Sequence, residues 1–111
     1  MGKWDRRELG SRLEVLTMHW LQWRYQPEGR EHSHSWYDTI LEQRGQMQPL
    51  LEDSPSLRPQ AATLLVQCYP RARQRVTGEI QIPEPIFPQT CPWTTMQVLD
   101  DNFWPESEPH Q

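Results

Sequence analysis

Between Asp5 and Tyr25 the large apolar residues Leu9, Leu13, Leu16, Trp20 and Trp23 return at spacings of four, three, four and three. That rhythm sets all five on one side of an α-helix and excludes a strand, whose sides alternate with every residue. A stripe of this kind needs partner helices to cover it, so the chain must fold as an assembly of helices. Glu8 and Arg12, four apart on the wet side, can pair along it. Gly10 costs about 1 kcal/mol relative to Ala inside a helix, so the first turns are expected to fray. Pro27, with Gly29 behind it, marks the end.

Two further helical stretches follow. Ser35 is the expected N-cap of a second helix running to Glu52, with Asp38 completing an approximate capping box. Its stripe is Trp36, Ile40, Met47 and Leu50 or Leu51. Pro49 lies inside this pattern and crowds the carbonyl of Gly45, four residues back, which predicts a kink or an early end. Asp53-Ser54-Pro55 reads as a stop and restart, with Ser54 capping a third helix and Pro55 in its first position. That helix carries Leu57, Ala61, Leu64, Leu65, Cys68, Ala72 and Val76 on one side. Pro70 should bend it, and Gly78 is the expected C-terminal cap.

From residue 79 onward Pro83, Pro85, Pro88 and Pro92 space out Ile80, Ile82, Ile86 and Phe87 in an extended segment unfit for a central strand. Thr94 and Gln97 form a capping box for a short helix through Leu99. Phe103 and Trp104 are expected to anchor the end onto the body, with residues 105–111 a disordered acidic tail. The fold expected is all-α: an irregular array of three main helices plus a short C-terminal helix and a Pro-rich wrapping segment, forming one domain over residues 1–104.

Whether such a chain can build a core turns on its aromatics. Hydrophobic residues are only 35% of the 111, but six are Trp, three Tyr and two Phe. Each large ring buries roughly 150–250 Å², so a tryptophan-rich interior compensates for scarce aliphatics. No apolar run approaches the ~20 residues of a membrane span, and the opening residues have no leader pattern, so a cytoplasmic protein with no membrane partner is expected. Cys68 and Cys91 match no metal or redox spacing and are read as structural thiols. Residues 1–77 hold all eleven Lys and Arg against nine Asp and Glu, a net +2, whereas residues 78–111 hold six acids and no base. So divided a charge argues against a broad nucleic-acid surface, and the acidic end can fold back on the body or keep it soluble.

Several stretches resemble one bacterial family. They are Ser11-Arg12-Leu13 with Met18-His19, Trp23-Arg24-Tyr25-Gln26-Pro27, Ser35-Trp36 with Thr39-Ile40, and Glu42-Gln43-Arg44. Further along come Leu50 through Pro59, Tyr69-Pro70-Arg71-Ala72-Arg73, Phe87-Pro88, Cys91-Pro92-Trp93 and Val98-Leu99-Asp100. In this order they look like the family catalogued as domain of unknown function, number twenty-nine. The resemblance implies an all-helical fold and carries no activity, cofactor or catalytic residue. Members of that family usually begin with a further helical hairpin, which implies a late start or a fragment here. The expected consequence is exposed Trp or Leu side chains along the first helix.

No chemistry stands out against simpler readings. Glu28, Glu31, His32 and His34 could gather at a cation, but their spacing matches no closed site, so a solvated loop is the simpler reading and neither metal nor cofactor is expected. His19 could act as a base, with Glu42 as partner in a cryptic helical hydrolase; a histidine bonded at the edge of the core explains it as well. Arg71, Arg73 and Arg75, joined by Arg58, could touch nucleic acid; arginines near a helix end also complement its dipole. No P-loop, dinucleotide glycine motif or nucleophile elbow is present. The reading that leads is a non-enzymatic interaction or structural module, with an unknown protein partner or self-association. Nucleic-acid binding or regulation through Arg58, Arg71, Arg73 and Arg75 follows, then a cryptic hydrolase or nuclease using His19 with Glu42.

Overall fold

The computed structural model describes residues 3–25, 34–80, 82–100 and 102–103. Three long helices form the body: α1 (Lys3–Tyr25), α2 (His34–Asp53) and α3 (Ala61–Ile80). A 3-10 turn, Pro55–Gln60, joins α2 to α3, a second one spans Glu84–Ile86, and a single turn, α4 (Thr95–Val98), closes the described chain. There is no strand among the described residues.

α1 is the central element. It packs most extensively on α3 and next on α2, while those two meet mainly through the 3-10 turn between them. All five stripe residues of α1 are buried, and so are Met18, Leu21, Thr17 and Gln22 off the stripe. The second half of the helix is therefore enclosed on nearly every side. This corrects the expectation of exposed Trp and Leu along the first helix: Leu9, Leu13, Leu16, Trp20, Leu21 and Trp23 are all inside. The Pro-rich segment supplies the cover. Trp93 meets Trp20 edge to face at 5.2 Å, and Phe103 lies 5.3 Å from the same ring. On α3 every residue of the expected stripe is buried, from Leu57 in the turn before it to Val76.

Several local expectations yield to longer-range contacts. α2 begins at His34, so Ser35 is a helical residue and not its N-cap. Of the kink or early end expected at Pro49, the early end does not occur, and α3 contains Pro70, where a bend and not an end is expected. Both prolines lie on exposed positions, so the carbonyls of Gly45 and Val66 that lose their partners face the side where water can serve them. The third helix starts as a 3-10 turn, because Pro59 cannot donate to the carbonyl of Pro55 four residues back. Ser54 makes no capping bond; its hydroxyl donates instead to Asp5 Oδ2 at 2.7 Å, tying the junction to the start of α1. Gly78 is inside α3, which continues to Ile80, and does not cap it. The capping box at α4 is present as expected, Gln97 N donating to Thr94 Oγ1 at 3.1 Å and Thr94 N to Gln97 Oε1 at 2.9 Å.

α2 holds two buried residues that its stripe did not include. Arg44 is buried with its guanidinium 5.2 Å above the Trp20 ring, and it donates to the carbonyl of Phe103. Stepping from Ile40 to Met47 skips the position at 43 and 44, which a helix must also turn inward. Gln43 and Arg44 occupy it, and Arg12 Nη1 reaches Gln43 Oε1 at 3.2 Å. A cation in a dry interior needs acceptors and π-faces, and here the carbonyl of Phe103 supplies one and the Trp20 ring of α1 the other.

Candidate functional site

The C-terminal segment is fastened to α3 at several points, and a gap is left between them. Tyr69 donates its phenol to the carbonyl of Pro88 at 2.7 Å. Arg73 Nη2 donates to the carbonyls of Glu84 and Phe87 at 3.1 and 3.3 Å, and its Nη1 lies 3.4 Å from the Glu84 carboxylate. Phe87, Trp93 and Val98 are buried, so the segment is part of the core and not a loose strap. Beside it, Leu65, Val66, Tyr69 and Pro70 of α3 face Gln89 to Thr95 across a mostly apolar groove of about 520 Å³. A second hollow of about 450 Å³ shares Thr95 and adds Arg58, Met96, Leu99 and Asp100. Val66 at 72% exposure and Met96 at 84% flank the two.

The sequence held a signal for this surface. Leu64, Leu65 and Val66 are consecutive, and three adjacent residues sweep about 200° around a helix, so one must turn outward. In α4, burying Val98 leaves Met96 facing the water by the same geometry.

The groups lining the groove are not primed for catalysis. Burial pushes the Cys91 thiol above its ordinary value, outweighing a backbone hydrogen bond of Trp93 that lowers it. Burial likewise pushes the Tyr69 phenol up, while its hydrogen already belongs to Pro88. Cys68, one turn deeper, is pushed up to about 12 by burial, the Glu14 charge and Cys91 adding to it. A thiol that cannot ionise near neutral pH is a poor nucleophile.

Residues matching the family model described as Domain of unknown function DUF29 extend over 1–104, almost all of the chain. The protein belongs to the DUF29 family. No curated protein and no solved structure matches it. The family supplies no chemistry, so any site in this DUF29 domain has to be argued from its own geometry.

The singled-out residues do not converge. His19 lies at the edge of the α1–α3 contact, its Nδ1 2.9 Å from the carbonyl of Val15, to which the ring N–H donates. Burial holds its pKa below the ordinary histidine value, against the opposing pull of that bond and of Glu79, with Arg75 lowering it slightly more. The charges acting on it thus come from α3, and Glu42 on the exposed side of α2 is not among them. Arg71 and Arg75 both grip Glu14 of α1, at 2.9 and 3.1 Å. Arg73 points the other way, into the C-terminal segment. Arg58 joins none of them; it edges the second hollow. Glu28, Glu31 and His32 and the side chain of His34 lie outside the described residues, as do Trp104 and residues 105–111. Among the described residues no group of three or more His, Cys, Asp and Glu could hold a metal ion, and no helix is long and apolar enough to cross a membrane.

Proposed function

We propose that this DUF29 chain is a non-enzymatic protein-interaction module whose docking surface is the groove between α3 and residues 89–95, extended across α4. The occupant is an uncharged peptide segment of a partner protein, presenting apolar side chains. One observation carries the reading: Val66 and Met96, among the most exposed large apolar side chains described, stand beside an apolar groove whose walls are pinned from behind. Open apolar surface beside a rigid concavity is a common mark of partner recognition. Charge supports the choice of occupant. No charged residue lines the groove, and the adjoining hollow has one Arg and one Asp, Arg58 and Asp100, which suits a neutral segment with free backbone groups.

The arginines favour this reading over nucleic-acid binding. Arg71 and Arg75 share Glu14, and Arg73 is spent on the C-terminal segment, so α3 offers no continuous positive stripe. We place the module in the bacterial cytoplasm, a setting that the free thiols of Cys68 and Cys91 support. The test compares affinity capture from host lysate by the wild type with capture by Val66→Glu and Met96→Glu. A partner retained by the wild type and lost from both variants, with the fold intact by circular dichroism, is expected. Identical capture by all three would overturn the assignment of the surface. Sedimentation of the purified chain distinguishes self-association, and a salt-dependent gel shift with RNA or DNA would restore the nucleic-acid reading.

A further inference from the structure

Arg58, which the fold leaves apart from the other arginines, shares the hollow of about 450 Å³ with Asp100, Thr95, Met96 and Leu99. Two opposite charges thus line one space, and among the described residues they form no ion pair with each other. The Arg58 guanidinium makes no hydrogen bond to a described residue either. Asp100 accepts one through Oδ1, from the amide of Asn102 at 2.9 Å, which leaves Oδ2 over. Both residues stand on firm backbone. Arg58 sits in the 3-10 turn Pro55–Gln60 between buried Leu57 and Pro59, and its carbonyl accepts from Ala61 N. Asp100 N donates to the carbonyl of Gln97, and the Asp100 carbonyl accepts from Phe103 N, both at 3.2 Å.

Such an arrangement selects on charge. A lone anion is drawn to Arg58 and repelled by Asp100, and a lone cation meets the reverse, so neither gains much. A neutral backbone answers the pair with partial charges only. A ligand with a carboxylate and an ammonium a few atoms apart brings full charge to both contacts, the carboxylate to the guanidinium fork and the ammonium to the free carboxylate oxygen. No other charged residue lines the hollow, and Met96 and Leu99 supply an apolar wall.

We propose that this hollow is a binding site for a free α-amino acid with an apolar side chain, held as its zwitterion. The carboxylate lies on Arg58, the ammonium on Asp100 and the side chain along Met96 and Leu99. The site goes beyond the docking surface described above. It meets the groove only at Thr95, so it can be filled while the groove is empty, and either assignment can fail alone. Across α4, the amino acid and a docked peptide exclude one another.

The test is a nuclear magnetic resonance titration of the full chain at neutral pH and low ionic strength, following the amides of Arg58, Thr95, Met96 and Leu99. L-Leucine is expected to give saturable shifts there. Leucinamide, which lacks the carboxylate, and N-acetylleucine, which lacks the ammonium, are each expected to bind about tenfold more weakly, as losing a charge-assisted hydrogen bond does. The variants cross with the ligands. In Arg58→Gln the preference for leucine over leucinamide is expected to vanish and that over N-acetylleucine to remain. In Asp100→Asn, whose Oδ1 still accepts from Asn102, the reverse is expected. Both positions are exposed, and circular dichroism checks the fold. No saturation by leucine overturns the proposal, as do equal affinities for the three ligands or preferences unchanged in both variants. Binding of N-acetylleucinamide as tight as that of leucine would also refute it and leave the hollow to a peptide. A partner captured through the groove while leucine fails to bind strikes this assignment alone; leucine binding with no partner captured leaves it standing.

Discussion

Trp93→Ala tests whether the Pro-rich segment belongs to the core. Trp93 is 3% exposed, and its ring meets Trp20 edge to face at 5.2 Å. A tryptophan that buries nearly all of its roughly 150–250 Å² contributes about 4–6 kcal/mol at ~25 cal/mol per Å², as an upper bound. The ring pair adds about 1 kcal/mol. Against this, the indole Nε1 is buried without a hydrogen-bond partner among the described residues, so removing the ring also removes an unpaired donor. The balance falls at about 3–5 kcal/mol, the usual range for Trp→Ala in a core. For a domain of this size that lowers Tm by roughly 15–25 °C. Trp93→Phe keeps a ring against Trp20 and discards the unpaired N–H, so it should cost under about 1.5 kcal/mol. Urea melts followed by circular dichroism give both values, with Met96→Ala, at 84% exposure, as a control within about 0.5 kcal/mol of wild type. A Trp93→Ala loss below about 1 kcal/mol would refute the reasoning and reduce the segment to a detachable cover.

Four further outcomes follow from the same structure. Gly10→Ala should stabilise the chain by up to about 1 kcal/mol, since the new methyl meets only Leu64; a destabilised variant would show that α1 and α3 are closer than the 3.8 Å contact implies. His19 has a folded pKa below 6.5, so the unfolded chain binds the proton more tightly. Stability should then be fully present above the ordinary histidine pKa and decline as pH falls from about 6.5 toward the folded value, and His19→Gln should flatten that part of a pH-dependent urea series. Neither Cys68 nor Cys91 should react quickly with iodoacetamide at neutral pH, while both should react in urea; rapid labelling of the native chain would contradict their raised pKa values. Replacing Arg73 by Met should cost about 1.5–3 kcal/mol, because the carbonyls of Glu84 and Phe87 lose a charged donor, and a change near zero by thermal melt would place the segment's anchor elsewhere.

How far the chain could be read in advance divides along the range of the interactions. Leu9 to Trp23, Ile40 to Leu51 and Leu57 to Val76 announce three helices and their buried sides, because a helix repeats its face within eight residues. The Thr94–Gln97 box is equally legible, its donors and acceptors lying three residues apart. Who covers whom is not written at that range. Ser54 looked like a cap and bonds Asp5, forty-nine residues away; Arg71 and Arg75 looked like a basic patch and close on Glu14, across fifty-seven and sixty-one. Arg44 could be placed on the inner side of α2 by counting, but only the packed ring of Trp20 and the returning carbonyl of Phe103 make burial of its charge tolerable. The groove belongs to this second class. A helix's period fixes which side seeks cover, whereas a concavity exists only between elements, so its walls are decided when the distant segments meet.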